Sequence, residues 1–180
     1  MNSSSKLDRY SGASIAIHWV TVLCFVGLYV AINVSDLFDK GTAQRVFARD
    51  THNSLGLLVF VMVWLRIVLR VFGTTPAIVP APPAWQEKLG KAVHGLLYVL
   101  MVVMPLLGWA VLSARGRPIS FFVLPLPALL DADKALGRQI MAVHEWGGTL
   151  GYFLIGGHAV AALFHHYFVK DNTLRRMWFR

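Results

Sequence analysis

Four long apolar segments constrain this chain more than any other feature of its sequence. They cover residues 15–34, 51–71, 92–112 and 140–168. Each is close to the roughly 20 residues that an α-helix needs to cross a bilayer core of about 30 Å. The sequence therefore predicts an all-α protein, an integral membrane four-helix bundle in which residues 1–180 form a single membrane domain within a lipid bilayer. A fifth apolar stretch, 119–130, is too short to span and contains two prolines, so we expect it along the membrane surface or over the end of the bundle.

Composition argues against the other broad classes of protein. The chain is 56% hydrophobic and only 14% charged, whereas a soluble domain has about a quarter charged residues. Its net charge of +8 would suit a nucleic-acid partner. The basic residues, however, flank the apolar segments, as juxtamembrane residues do. We therefore expect a membrane protein that does not bind nucleic acid.

Four crossings place both chain termini on the same side of the membrane. Ten of the 17 lysine and arginine residues fall on that side, and loops rich in lysine and arginine stay in the cytoplasm. The sequence therefore predicts a multi-pass protein with both termini cytoplasmic.

The fourth apolar segment carries three histidines on one helix face. His144, His158 and His165 are separated by 14 and 7 residues. At about 100° and 1.5 Å per residue, these steps return to within about 40° and 20° of one direction and lie roughly 21 Å and 10 Å apart. One face thus presents imidazoles at two membrane depths.

A single membrane histidine often serves only as a hydrogen-bonding group between helices, so a structural protein without redox chemistry is one alternative.

The predicted orientation places histidines of different helices at matching depths. His52 lies level with His144 near the outer face, and His18 lies level with His158 near the cytoplasm. Two imidazoles at one depth can bind a haem iron from opposite sides, which fills both axial positions and leaves an electron carrier. A zinc site is disfavoured because its tetrahedral ligands must converge within a few ångströms.

Glycines lie close to three of these histidines along the chain: Gly56, Gly147, Gly148, Gly151, Gly156 and Gly157. Their missing side chains would let a flat macrocycle approach the helix backbone. They could equally let neighbouring helices pack closely. Because these glycines lie beside histidines, we favour the approach of a macrocycle.

Motifs in the first and last segments resemble a known family. SIAIHWV at 14–20 and HEWGGTLGYFLIGGHAVAALFHHYFVKDNTLRRM at 144–177 are similar to the bacterial cytochrome b561 family, small four-helix membrane cytochromes with two b-type haems. The likeness extends over nearly the whole chain. It implies two haem b groups, with His18 and His158 ligating the inner haem iron and His52 and His144 the outer one.

The resemblance also implies a location and an activity. The location is the bacterial inner membrane. The family includes a superoxide oxidase, which implies electron transfer from superoxide at the periplasmic face to ubiquinone. Related cytochrome b subunits of hydrogenases and formate dehydrogenases leave a second function open, the relay of electrons between an electron-donor protein and the quinone pool.

Three histidines remain outside the two pairs. His94 has no partner at its predicted level, His165 lies on the His158 face, and His166 is rotated away by about 80°. Quinone reduction needs protons, and an imidazole titrates near neutral pH. His165, and after it His94, are therefore candidate quinone contacts. An ordinary interfacial or hydrogen-bonding role is the alternative.

Basic residues of the predicted outer loops form the last candidate set: Arg45, Arg49, Arg115, Arg117, Lys134 and Arg138. A basic funnel there would steer an anion such as superoxide and raise its association rate. The alternative is ordinary loop charge or pairing with haem propionates.

Overall fold

Four long helices account for most of the chain. In the computed structural model, which describes residues 9–179, α1 spans Gly12–Ser35, α2 Ala43–Phe72, α3 Ala84–Ala114 and α4 Lys134–Phe164. A π-helical turn, His165–Val169, continues α4, and a 3-10 turn covers Arg175–Met177. All four helices are long and apolar enough to cross a membrane. The predicted all-α membrane bundle is confirmed.

The helices extend beyond the predicted apolar segments at several ends. The second begins at Ala43 and the third at Ala84, eight residues before the predicted starts. Hydropathy detects only the lipid-facing length of a helix, whereas polar caps set its true ends. The side chain of Thr42 accepts from Arg45 N at 3.4 Å, and that of Asp133 accepts from Ala135 N at 2.8 Å.

The helices pack as two pairs joined through α2 and α3. The closest packing is of α1 against α2, of α3 against α4, and of α2 against α3. Cys24, Leu28, Val59, Val63 and Met101 form the buried apolar core. Large apolar side chains on the outer faces remain exposed, as lipid contact requires.

The two ends of the bundle differ. At one, which we call the terminal end, Tyr10 N donates to Arg176 O at 3.1 Å and Asn172 N donates to Val79 O at 3.1 Å. Both described ends of the chain and the α2–α3 connection therefore meet there. At the opposite end, which we call the hairpin end, lie the α1–α2 and α3–α4 connections.

A small antiparallel hairpin occupies the hairpin end. Its strands are β1, Ile119–Phe121, and β2, Leu124–Leu126. Phe122 has a left-handed φ of 54° at the turn, and its N–H donates to Ser54 Oγ on α2 at 3.0 Å. The apolar 119–130 stretch thus lies over the end of the bundle, but as strands that the sequence analysis did not predict.

Gly151 tests the contact between α1 and α4. Tyr29 OH donates to Gly148 O at 2.9 Å, and a Cβ added at Gly151 would collide with that hydroxyl. We expect Gly151→Ala to break this hydrogen bond and lower stability by about 1–2 kcal/mol. Thermal unfolding in detergent measures the effect. Gly95→Ala on α3 is the control, because its Cβ would meet nothing within 4 Å; equal losses in both variants would contradict the steric explanation.

Candidate functional site

Two pairs of histidines face each other across the bundle interior. Near the hairpin end, His52 of α2 and His144 of α4 have ring centroids 6.2 Å apart with an interplanar angle of 80°. Near the terminal end, His18 of α1 and His158 of α4 have centroids 6.5 Å apart at 70°. The structure therefore brings together both of the pairs that the sequence predicted.

These spacings fit two imidazoles that share one iron. A metal–imidazole bond is about 2 Å long, so two rings bound on opposite sides of a haem iron have centroids about 6 Å apart. Imidazoles linked by a direct hydrogen bond would instead come closer. The geometry of both pairs thus matches axial ligation.

The interior also leaves room for flat macrocycles. Among residues 9–179, the backbone of α4 comes close to that of α3, whereas α4 meets α1 and α2 mainly through side chains such as Tyr29 and His52. Gly56 and Gly148 follow His52 and His144 by one turn on the same helix faces, and a Cβ on either would meet nothing within 4 Å. Gly156 and Gly157 are exposed, and Gly156 lies about 160° around α4 from His158, so it faces away from that pair. The residues present fit haem groups between α4 and the α1–α2 pair.

The two pairs differ in the hydrogen bonds that their histidines form. His52 Nδ1–H donates to Leu28 O at 2.9 Å, which leaves the Nε2 lone pair free for a metal, the arrangement usual for a metal-bound histidine. His18 Nδ1 instead accepts from Arg66 Nη1 at 3.0 Å. Gly108 packs against His144, since a Cβ there would lie 3.3 Å from the ring Cε1.

His94 corrects one prediction. Its ring centroid lies 5.2 Å from that of His158, so the expectation that His94 has no partner at its level was wrong. The spacing is shorter than the roughly 6 Å that two axial ligands of one iron require. The sequence prediction assigned the inner level to His18 and His158 alone. Residue number along a helix gives depth, but it does not show which side chains of other helices lie beside one another. His18, His94 and His158 together form the inner histidine cluster.

His165 lies beside a buried carboxylate. Its Nδ1 is 2.6 Å from Asp171 Oδ2, and Asp171 is 1% exposed. Burial alone would raise the pKa of Asp171, but hydrogen bonds from His165 and Thr173 outweigh it and hold that pKa below its usual range. Asp171 is therefore ionised at neutral pH and orients the imidazole. Sequence reasoning missed Asp171, because the contact crosses the π-helical turn and follows no helical period.

The six basic candidates separate into two groups. Arg115, Arg117, Lys134 and Arg138 line a pocket of about 300 Å³ at the hairpin end. Among residues 9–179, none of these four forms a salt bridge. Arg45 and Arg49 instead pair with Asp36 at 3.1 and 3.4 Å. The predicted cationic surface thus reduces to four uncompensated side chains.

Comparison with known proteins assigns the family. Residues 9–180 match the family model described as prokaryotic cytochrome b561. The chain belongs to the prokaryotic cytochrome b561 family. The resemblance seen in the sequence is therefore confirmed, and the protein is a haem-binding membrane protein of electron transport.

Curated relatives match over nearly their whole length. The chain is 37% identical over 171 residues to "Cytochrome b561 homolog 1" of Escherichia coli (strain K12), covering 95% of this chain and 97% of the relative. It is 34% identical over 172 residues to "Probable superoxide oxidase CybB" of Yersinia pestis, covering 94% and 95%. "Cytochrome b561 homolog 2" of Escherichia coli (strain K12) is 28% identical over 180 residues, covering 98% and 95%. These likenesses establish a redox role for a b-type haem membrane protein.

Proposed function

We propose that this protein is a di-haem cytochrome that oxidises superoxide at the hairpin end and reduces ubiquinone at the terminal end. The proposal rests on two histidine pairs that lie at two depths of one bundle. Each pair has the spacing of two axial ligands of one iron. When bound, each haem supplies a one-electron iron couple that exchanges electrons without bond making. In this assignment His52 and His144 hold the outer iron, and His18 and His158 hold the inner one.

The stoichiometry follows from the two substrates. Two superoxide anions each give up one electron and become dioxygen. One quinone takes both electrons and two protons and becomes a quinol. The chain therefore has to attract an anion at one end and deliver protons at the other.

The hairpin end suits the anion. Its pocket collects four positive charges from the end of α3, the following loop and the start of α4. A cluster of one sign of charge steers small anions by long-range attraction. The relative named as a probable superoxide oxidase supports superoxide as the donor.

The terminal end suits the quinone. His165 lies about two helical turns, or roughly 10 Å, beyond His158 on α4. Asp171 holds its Nδ1 proton, so Nε2 can exchange a proton with a quinone oxygen. His94, next to His158, is a second proton-carrying group at this end.

The excess of basic residues at the terminal end favours a cytoplasmic location for that end. In the bacterial inner membrane, the hairpin end would then face the periplasm. Quinone reduction would take its protons from the cytoplasmic side.

Ligand substitutions test the haem assignment. We expect His52→Ala and His144→Ala to lose the same haem, and His18→Ala and His158→Ala to lose the other, because each iron would lose one axial ligand. The haem-to-protein ratio and redox titration of each purified variant measure this. His94→Ala should keep both haems; loss of the inner haem in that variant would instead make His94 an axial ligand.

Charge removal tests the route of superoxide. Replacing Arg115, Arg117, Lys134 and Arg138 together by Gln should slow haem reduction by superoxide roughly tenfold or more at low salt and flatten its salt dependence. Stopped-flow mixing of superoxide with the purified protein measures both. Arg45→Gln with Arg49→Gln is the comparison, because these two charges share one carboxylate, Asp36, and their removal should slow the reaction less. If haem reduction required a partner protein, the chain would instead relay electrons from a donor protein to the quinone pool.

Asp171→Asn tests proton delivery to quinone. An amide oxygen accepts the His165 Nδ1–H more weakly than a carboxylate does and holds the ring less firmly, so we expect quinone reduction to slow severalfold while superoxide still reduces the haems at the normal rate. Glu87→Gln is the matched control, since Glu87 is an exposed carboxylate that pairs only with Lys91 at 2.6 Å. Steady-state quinol formation and single-turnover haem reduction separate the two steps. Equal slowing of both steps would argue for a structural role of Asp171.

A further inference from the structure

Arg66 lies at the depth of the inner histidine cluster. It follows His52 by 14 residues on α2, which places it roughly 21 Å along the helix and within about 40° of the same direction. This is the relation that His158 has to His144 on α4. Arg66 therefore points into the bundle interior at the inner level.

The guanidinium has few partners for a charged group. Its Nη1 donates to His18 Nδ1 at 3.0 Å, and its Cζ lies 5.9 Å from the centre of the Tyr98 ring. Its Nε is buried without a hydrogen-bond partner, and within residues 9–179 it forms no salt bridge. An arginine is always charged, and a partly buried charge without a counter-ion is costly. An anion bound beside Arg66 would compensate this charge.

The contact with His18 conflicts with iron ligation. When Nδ1 accepts a hydrogen bond, the neutral ring carries its proton on Nε2, the nitrogen that would face the metal. His52 has the opposite arrangement, with its proton on Nδ1 and directed to Leu28 O. A neutral imidazole that ligates through Nε2 carries its proton on Nδ1, to which Arg66 cannot donate. Ligation by neutral His18 therefore requires Arg66 to move away.

We propose that Arg66 binds a propionate carboxylate of the inner haem and leaves His18 as the haem binds. The planar fork of a guanidinium matches a carboxylate with two parallel hydrogen bonds, and this pairing supplies the missing counter-ion. The inference rests on the proposed ligation of the inner iron by His18 and His158. It adds a binding residue for the carboxylate edge of that cofactor.

Arg70 provides the matched control. It lies one turn further along α2 and is exposed, and its Nη1 donates to Thr75 Oγ1 at 2.7 Å and to Tyr10 OH at 3.3 Å. Removing Arg70 takes away a charge of the same sign from the same helix face without leaving a buried donor. Effects specific to Arg66 should be absent from Arg70→Leu.

Infrared redox difference spectra test the proposal. The full-length protein is prepared with haem labelled with ¹³C at the propionate carboxylates. We expect Arg66→Leu to shift the labelled carboxylate bands of one haem and to lower the midpoint potential of that haem alone, since removal of a nearby positive charge favours ferric iron. Arg66→Lys should shift the same bands while keeping more of the potential. Arg70→Leu should leave the bands unchanged.

Unchanged propionate bands in Arg66→Leu with both haems bound would overturn the proposal. If Arg66→Leu fails to retain the inner haem, Arg66→Lys decides, because its bands must still differ from those of the wild type. The ligation on which the proposal rests is tested separately. A His18→Ala variant that keeps the inner haem would refute the ligand assignment, whereas unchanged bands with His18 required would refute only the role of Arg66.

Discussion

Side chains, and not closely packed backbones, connect α4 with α1 and α2, and this arrangement determines what the bundle interior can bind. Lipid is as apolar as a leucine side chain, so helices in a bilayer associate through close packing and polar contacts. Here the facing surfaces present imidazoles, a tyrosine hydroxyl and bare glycine backbone in place of interlocking aliphatic side chains. Such surfaces are adapted to flat, iron-containing cofactors, which family membership independently indicates.

The two ends of the bundle complement this interior with different chemistry. At the hairpin end, four cations around one pocket form no salt bridge within residues 9–179, while Arg45 and Arg49 at the start of α2 share the carboxylate of Asp36. The terminal end is closed by the C-terminal segment, where Trp19 Nε1 donates to Met177 O at 2.8 Å and Arg176 donates to Pro76 O. Polar groups able to carry protons are concentrated at this closed end. The asymmetry is consistent with the proposed direction of electron flow, from an anion outside to a proton-requiring acceptor inside.

The inner and outer histidine pairs are also unequal. A backbone carbonyl fixes the tautomer of His52, and a carbonyl cannot move without disturbing α1. A flexible arginine side chain contacts His18, and it can exchange partners. The fold thus holds His52 in the tautomer that ligation requires, whereas ligation by His18 requires Arg66 to leave the His18 ring. If each pair holds a haem as proposed, this difference would give the two haems different properties.

The four spans, the family resemblance and the relative depths of the four paired histidines could be predicted from the sequence, because bilayer thickness fixes helix length and helical rise converts residue number into depth. The pairing of His52 with His144 and of His18 with His158 followed from depth alone. Which side chains are neighbours across the membrane plane became clear only from the packed helices, since lateral distance depends on helix packing and leaves no period in the sequence. For that reason the tertiary structure alone placed His94 beside His158, Arg66 on His18, Asp171 against His165 and Asp36 between Arg45 and Arg49. The hairpin was missed for a local reason, because its turn requires a left-handed φ at Phe122, a residue type that seldom adopts it.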